Sequence, residues 1–213
     1  ALCGEGAADP PAPADYSPLP LADYLAPGAI LPCGTAHGCY WRRCAFCPER
    51  AEGGGFQPRP LAVVRREIAP AAAPALIHFL DNALTPRFLE ALAADPPGVP
   101  WYGFVRVTEH LADPGFAARL AKAGCVMLKL GVESGDQGVL EALEKGMDLA
   151  VASRALATLK AAGIGTYVYL LFGTPAEDLD AARRTLAFTA AHAGEIDFLN
   201  LAVFNLPAGS PEA

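Results

Sequence analysis

From Ile30 onward, compact apolar runs of four to seven residues alternate with segments whose apolar positions recur every three or four residues. The runs predict strands over 30–33, 75–80, 101–107, 126–132, 166–172 and 198–204. The periodic segments predict helices over 61–68, 86–93, 114–123, 137–144 with 150–162, and 176–191. Pro175 is read as lying near the start of the last helix, whose acidic residues Glu177, Asp178 and Asp180 suit the positive end of the helix dipole. Gly163 is read as a helix stop. Strand-then-helix repetition at intervals of about 30 residues specifies parallel strands joined by crossovers. No glycine-rich dinucleotide turn follows the first strand. The expected fold is therefore α/β, an incomplete (βα)6 TIM-like barrel of parallel strands, with a doubly wound sheet as the alternative.

In such a barrel, chemistry collects beyond the C-terminal ends of the strands. Those positions hold the loop 39–47, Asp81-Asn82, Arg106 with Thr108, Glu133-Ser134, Gly173-Thr174 and Asn205. The opposite edge offers small and apolar residues, as in Gly98-Val99-Pro100 and Gly163-Ile164-Gly165. Strand alternation places Met127, Lys129, Gly131 and Glu133 on one face and Leu128, Leu130 and Val132 on the other. The first face carries the charges and is expected to border the cavity. Arg106 offers a planar fork that matches a carboxylate, with a rim salt bridge as its plainer reading. Lys129 suits either a substrate or an internal acid.

Composition narrows the class. Of 213 residues, 53% are hydrophobic and 18% charged, enough to bury a full core. The net charge of −7 argues against a non-specific nucleic-acid or anionic-membrane surface. Residues 1–27, rich in Pro, Ala and Asp, read as an extended lead-in, and 28–213 as the core. The chain starts without a basic, apolar leader and holds no apolar run of about 20 residues, so a soluble cytoplasmic protein is expected. It starts without Met and stops on Gly-Ser-Pro-Glu-Ala, which reads as a fragment truncated at its C-terminus.

Six cysteines are present, and three of them, Cys39, Cys44 and Cys47, crowd into the segment Gly38-Cys39-Tyr40-Trp41-Arg42-Arg43-Cys44-Ala45-Phe46-Cys47-Pro48. Clustering of this kind reads as metal ligation and not as a disulfide framework. A structural zinc site is one alternative, but zinc asks for a closed set of four ligands, and only the upstream Cys33 and His37 stand near enough in sequence. Cys33, at the end of the first strand, is expected to be a buried apolar side chain and not a ligand.

The loop resembles the cluster-binding loop of the radical S-adenosylmethionine (radical SAM) superfamily, with Phe46 just before the last cysteine. It has four residues between the first two cysteines where the usual spacing is three. Gly131-Val-Glu133-Ser134-Gly135 and Leu171-Phe-Gly173-Thr-Pro175 are similar to later core motifs of that superfamily. The segment Tyr16–Leu25 resembles the lead-in between a cobalamin-binding domain and a radical core, and the residues from Leu2 to Ala7 resemble the end of such a domain. The resemblance implies a 4Fe-4S cluster on Cys39, Cys44 and Cys47. One open iron would chelate S-adenosylmethionine, which is cleaved reductively to a 5′-deoxyadenosyl radical that abstracts hydrogen from a substrate. It also implies cofactor contacts at Phe46, Asp81, Arg106, Glu133 and Ser134. At Asp81 the family's usual Gly-Gly-Glu is absent, and an N-cap for the next helix is the competing role. For Glu133 the competing role is a cap on the helix that follows.

Further implications are an electron donor such as flavodoxin or ferredoxin, a transferase-type reaction, and cobalamin-dependent methylation through a domain outside this chain. A methylthiotransferase-like or rearranging enzyme is the alternative within the superfamily, and a non-catalytic zinc-binding module the alternative outside it. Gly53-Gly54-Gly55 reads as a flexible loop, because no Lys-Ser/Thr follows it to make a phosphate cradle.

Overall fold

A computed structural model describes residues 18–20, 23–26, 28–50, 55–68 and 76–205. In chain order the strands are β1 (Ile30–Cys33), β2 (Ala36–His37), β3 (Gln57–Pro58), β4 (Leu76–Leu84), β5 (Trp101–Val105), β6 (Cys125–Glu133), β7 (Gly165–Phe172) and β8 (Phe198–Val203). The helices are α1 (Leu61–Ile68), α2 (Pro86–Ala94), α3 (Pro114–Lys122), α4 (Gln137–Ala142), α5 (Leu149–Ala161) and α6 (Leu179–Ala191). Six strands form one parallel sheet in the order β1-β4-β5-β6-β7-β8. Among the described residues the sheet is not closed on itself, and β1 and β8 are its edges. This is the α/β, incomplete TIM-like barrel expected from the strand–helix alternation.

Period-two alternation sorts each strand between two environments. Leu128, Leu130 and Val132 of β6, Val105 of β5, Phe79 of β4 and Val168 and Leu170 of β7 are buried in one core. The helices contribute Phe116 and Leu120 of α3 and Leu156 and Leu159 of α5 to the same core. Burying a side chain of this size stabilises the fold by about 1.5–3 kcal/mol, so the helix-side face organises the molecule. The other face carries His78, Tyr102, Phe104, Lys129, Tyr167 and Tyr169, all only half-buried.

Helix starts follow local chemistry. Asp136, Asp148 and Asp178 cap α4, α5 and α6 by accepting from backbone N–H groups, and Thr85 caps α2. The last helix therefore starts at Leu179 and not at 176, because the Asp178 carboxylate takes the Ala181 N–H while Glu177 bonds back to Gly173. Pro175 lies ahead of it, in the loop.

β4 continues to Leu84 instead of ending at 80, with a register shift against β5 between Phe79 and Leu84. Asp81 and Asn82 thus sit inside the strand's irregular end. β2 and β3 pair antiparallel over two residues each and were not expected, being too short to show a period. Of the lead-in at 1–27, only 18–20 and 23–26 are described; Cys3, Tyr16, Gly53, Gly54 and 206–213 lie outside the described residues. No helix among the described residues is long and apolar enough to cross a membrane.

Candidate functional site

The cysteine loop leaves β2 through Gly38, whose φ of 72° suits glycine and whose missing Cβ would stand 3.1 Å from the Gly55 carbonyl. Cys44 and Cys47 close a tight turn, with the Cys47 N–H donating to the Cys44 carbonyl at 3.2 Å. A 3-10 turn over Pro48–Arg50 continues it. The loop is pinned to the C-terminal end of α4 by the Ala45 N–H, which donates to the Leu143 carbonyl at 2.9 Å.

Trp41 occupies the longer first gap between cysteines and explains how the loop accommodates it. Its ring lies 3.8 Å from the Arg106 guanidinium, and its indole N–H donates to the Glu144 carbonyl at 3.2 Å. The same ring rests on Gly146, where a Cβ would come within 2.2 Å of it. Only a glycine leaves that seat open. Arg106 in turn donates to the Lys145 and Gly146 carbonyls and approaches the Cys44 Sγ at 3.9 Å.

All three loop cysteines are half-buried and free. Burial pushes the Cys44 thiol up, while Lys145 and then Arg106 oppose that rise by favouring the thiolate. Burial also raises Cys47; a hydrogen bond from the Glu49 backbone opposes it, and Cys44 and Cys39 add to it through their charge. The three sulfurs therefore share one electrostatic neighbourhood with two buried cations turned toward it. Soft thiolates in positive surroundings fit an anionic iron–sulfur cluster. Among the described residues, no three Cys, His, Asp or Glu side chains form a group suited to a single metal ion.

Cys33 is buried, and desolvation pushes its thiol to about 12, with Glu67 adding and Arg59 opposing. A thiol so reluctant to ionise is a poor ligand. Cys125 is likewise buried and raised by desolvation.

Glu133 and Lys145 form a buried ion pair at 2.8 Å, their side chains 11% and 7% exposed. The pair fills the space above Gly131, where a Cβ would lie 2.7 Å from the carboxylate and 2.8 Å from the ammonium. Lys145 also stands 5.7 Å from the Phe46 ring, so the pair faces the cysteine loop directly. The cap of α4 belongs to Asp136, which removes the helix-capping role from Glu133. The non-glycine residues with positive φ among the described residues are Arg42, Glu133 and Glu144, and all three belong to this rim. Strain concentrated in this way is characteristic of functional sites.

The other two expected positions bond to neighbouring segments of the chain. Asp81 accepts from the Thr35 N–H at 3.0 Å and from its hydroxyl at 2.7 Å, tying β4 to the start of the cysteine loop. Burial raises its carboxyl, and those same hydrogen bonds restrain the rise. Asn82 donates to Glu49 at 2.6 Å. The α2 cap is Thr85, so Asp81 does not serve there. Ser134 is fully buried and shares a hydrogen bond of 3.0 Å with Thr185 of α6, while the Asp136 N–H donates to it at 3.1 Å.

The structure thus gathers Arg106, Glu133 and Phe46 around the cysteine loop and adds Lys145, which the sequence reading passed over. Nothing local marked Lys145. Its partner lies twelve residues away across a helix.

A sequence model described as the Radical SAM superfamily matches residues 35–189. No curated protein matches the sequence. Among solved structures, the chain resembles the radical S-adenosylmethionine methyltransferase TsrM from Kitasatospora setae, solved with cobalamin and a 4Fe-4S cluster bound. The TM-score is 0.69 at 24% identity, over 83% of this chain and 37% of that one. It also resembles the cobalamin-dependent S-adenosylmethionine radical enzyme OxsB, with a TM-score of 0.62 at 20% identity over 74% and 26% of the two chains. Methylornithine synthase (PylB) gives 0.61 at 17% identity over 86% and 56%. The chain spans less than two thirds of each of these proteins.

Proposed function

Because this chain belongs to the radical SAM superfamily, we propose that Cys39, Cys44 and Cys47 hold its 4Fe-4S cluster and that the rim formed by Phe46, Arg106 and Glu133 receives S-adenosylmethionine. When bound, that pair of cofactors supplies one-electron cleavage of a sulfonium to a carbon radical that abstracts hydrogen. The observation that carries the reading is the convergence of the cysteine loop with two buried cations, Lys145 and Arg106, at the C-terminal edge of a parallel sheet.

Each residue has a task that its contacts support. Arg106 and Lys145 counter the negative charge of thiolate ligands, and Arg106 and Gly146 clamp Trp41 so that the longer loop holds one shape. Glu133, its charge held by Lys145, is the rim's acceptor for the donor groups of S-adenosylmethionine. Asp81 and Ser134 serve the same site by holding its frame, Asp81 by fixing Thr35 at the loop's entrance and Ser134 by docking α6. The half-buried aromatic face below the rim is the substrate side.

Enzymes of this superfamily need a reductant, and a flavodoxin or ferredoxin is the donor proposed here. A transferase-type, cobalamin-dependent methylation is the favoured outcome, supported by the likeness to TsrM and OxsB, whose structures contain cobalamin. Cobalamin would then come from a domain outside the described residues.

Anaerobic reconstitution followed by iron, sulfide and zinc analysis tests the cluster. Four irons and four sulfides per chain are expected, with the charge-transfer absorption lost in Cys39→Ala, Cys44→Ala and Cys47→Ala but kept in Cys125→Ala. One equivalent of zinc with no iron uptake overturns the proposal.

A further inference from the structure

Below the rim, the half-buried sheet face carries a cation that no acid meets among the described residues. Lys129 of β6 and His78 of β4 approach each other at 2.9 Å, Nζ to Nε2. Burial lowers both groups, and for His78 the Lys129 charge lowers it further. A lysine ammonium donating to a neutral imidazole satisfies this contact, and in that state the pair carries one positive charge. No ion pair to Lys129 is found among the described residues. A half-buried ammonium normally has an anion or water as its partner.

Aromatic rings surround it. Tyr102 stacks on His78 with centroids 4.3 Å apart and planes at 7°, and Lys129 Nζ stands 5.2 Å from the Tyr102 ring. Phe104 and Tyr169 meet at 5.0 Å, and Tyr167 and Tyr169 at 4.8 Å. The register places Phe104, Lys129 and Tyr167 side by side on three neighbouring strands, so Phe104 and Tyr167 are the cross-strand neighbours of Lys129. The other charge on β6 is Glu133, whose carboxylate folds back over Gly131, and there Lys145 already neutralises it. Lys129 is therefore left without a share of that carboxylate.

We propose that Lys129, oriented by His78, anchors an anionic oxygen group, carboxylate or phosphate, of the enzyme's substrate, and that Phe104, Tyr167 and Tyr169 hold the flat part of the same molecule. The substrate class is a small planar or aromatic anion. This rests on the reading of the open face as the substrate side of a radical SAM core. Desolvated by the rings, the ammonium gains more from a charge-assisted hydrogen bond than it would in water. Any acid on the ligand side would be oriented with its ring toward the aromatic strands and its reactive end toward the rim.

The test uses the reconstituted full chain and ligand-observed NMR titration with phenylacetate, phenyl phosphate and the neutral isostere phenylacetamide. Phenylacetate or phenyl phosphate should bind at least about tenfold more tightly than the amide, the fold-change expected for a charge-assisted hydrogen bond. Whichever of the two binds more tightly identifies the oxygen group. Lys129→Gln should erase the preference for the acid while the cluster absorption persists, and Lys129→Arg should restore most of it. Equal affinity for acid and amide, or a preference that survives Lys129→Gln, overturns the proposal. Protein that takes up no iron yet still prefers the acid through Lys129 would sink the cluster reading and leave this one standing. A normal cluster with no anion preference does the reverse.

Discussion

Replacing Lys145 by Met is the sharpest test of how the rim is held together. The ammonium is 2.8 Å from the Glu133 carboxylate, and both side chains are nearly closed to water. Met matches the length of the lysine stem, so the packing against Phe46 is largely kept and the lost charge dominates. The carboxylate that remains is buried without its partner, a situation that costs about 3–5 kcal/mol. A domain of this size has roughly 5–15 kcal/mol to lose, and each kilocalorie lowers Tm by about 2–4 °C. Lys145→Met should therefore melt about 6–20 °C below the parent when followed by circular dichroism. Combining it with Glu133→Met, which removes the orphaned charge, should recover most of that loss, because replacing both partners of a buried pair is close to neutral. The coupling between the two changes then measures the pair. A drop in Tm under 2 °C in the single variant, or a double variant no better than the sum of its parts, would refute the buried-pair account.

Other outcomes follow from the same structure. Glu133→Gln with the cluster intact should weaken S-adenosylmethionine binding about tenfold to a hundredfold by calorimetry; unchanged affinity would leave Glu133 a purely structural role. Gly146→Ala pushes a methyl into the Trp41 ring, an overpacking worth about 1–3 kcal/mol, and should shift the Trp41 emission and reduce iron loading. Asp136→Ala removes the α4 cap at a cost of about 1 kcal/mol. The Asp136 carboxyl is held low first by the Val139 N–H and then by Arg184, so its contribution is present at neutral pH and disappears as pH falls through that depressed value. An acid titration of Tm for parent and variant should converge below the ordinary carboxylate range. Cys33, pushed to about 12, should resist iodoacetamide in the folded protein, and Cys33→Ser should keep the cluster spectrum.

Much of this architecture was legible before any tertiary contact was known. The helix over Leu61–Ile68 and the strand over Ile30–Cys33 have the bounds that periodicity predicts. The alternation along β6 told which side chains join the core and which face the open side, because a strand has only two faces. The three clustered cysteines, half-buried at the rim, were equally visible, since ligand spacing within one loop is a local property.

What the chain could not disclose locally was the pairing of side chains across the rim. Glu133 could be read as a helix cap until the fold brought Lys145 onto it, and Asp81 could be read as a cap until Thr35 arrived from forty-six residues upstream. Trp41 finds its seat against Arg106 and Gly146, which only the crossing of three separate loops brings together. Alternation and capping are rules of nearest neighbours and turn on a few consecutive residues. A buried charge instead takes its partner from wherever the chain returns beside it, Lys145 from the turn after α4 and Thr35 from the loop after β1, and those returns are set by the packing of the whole fold.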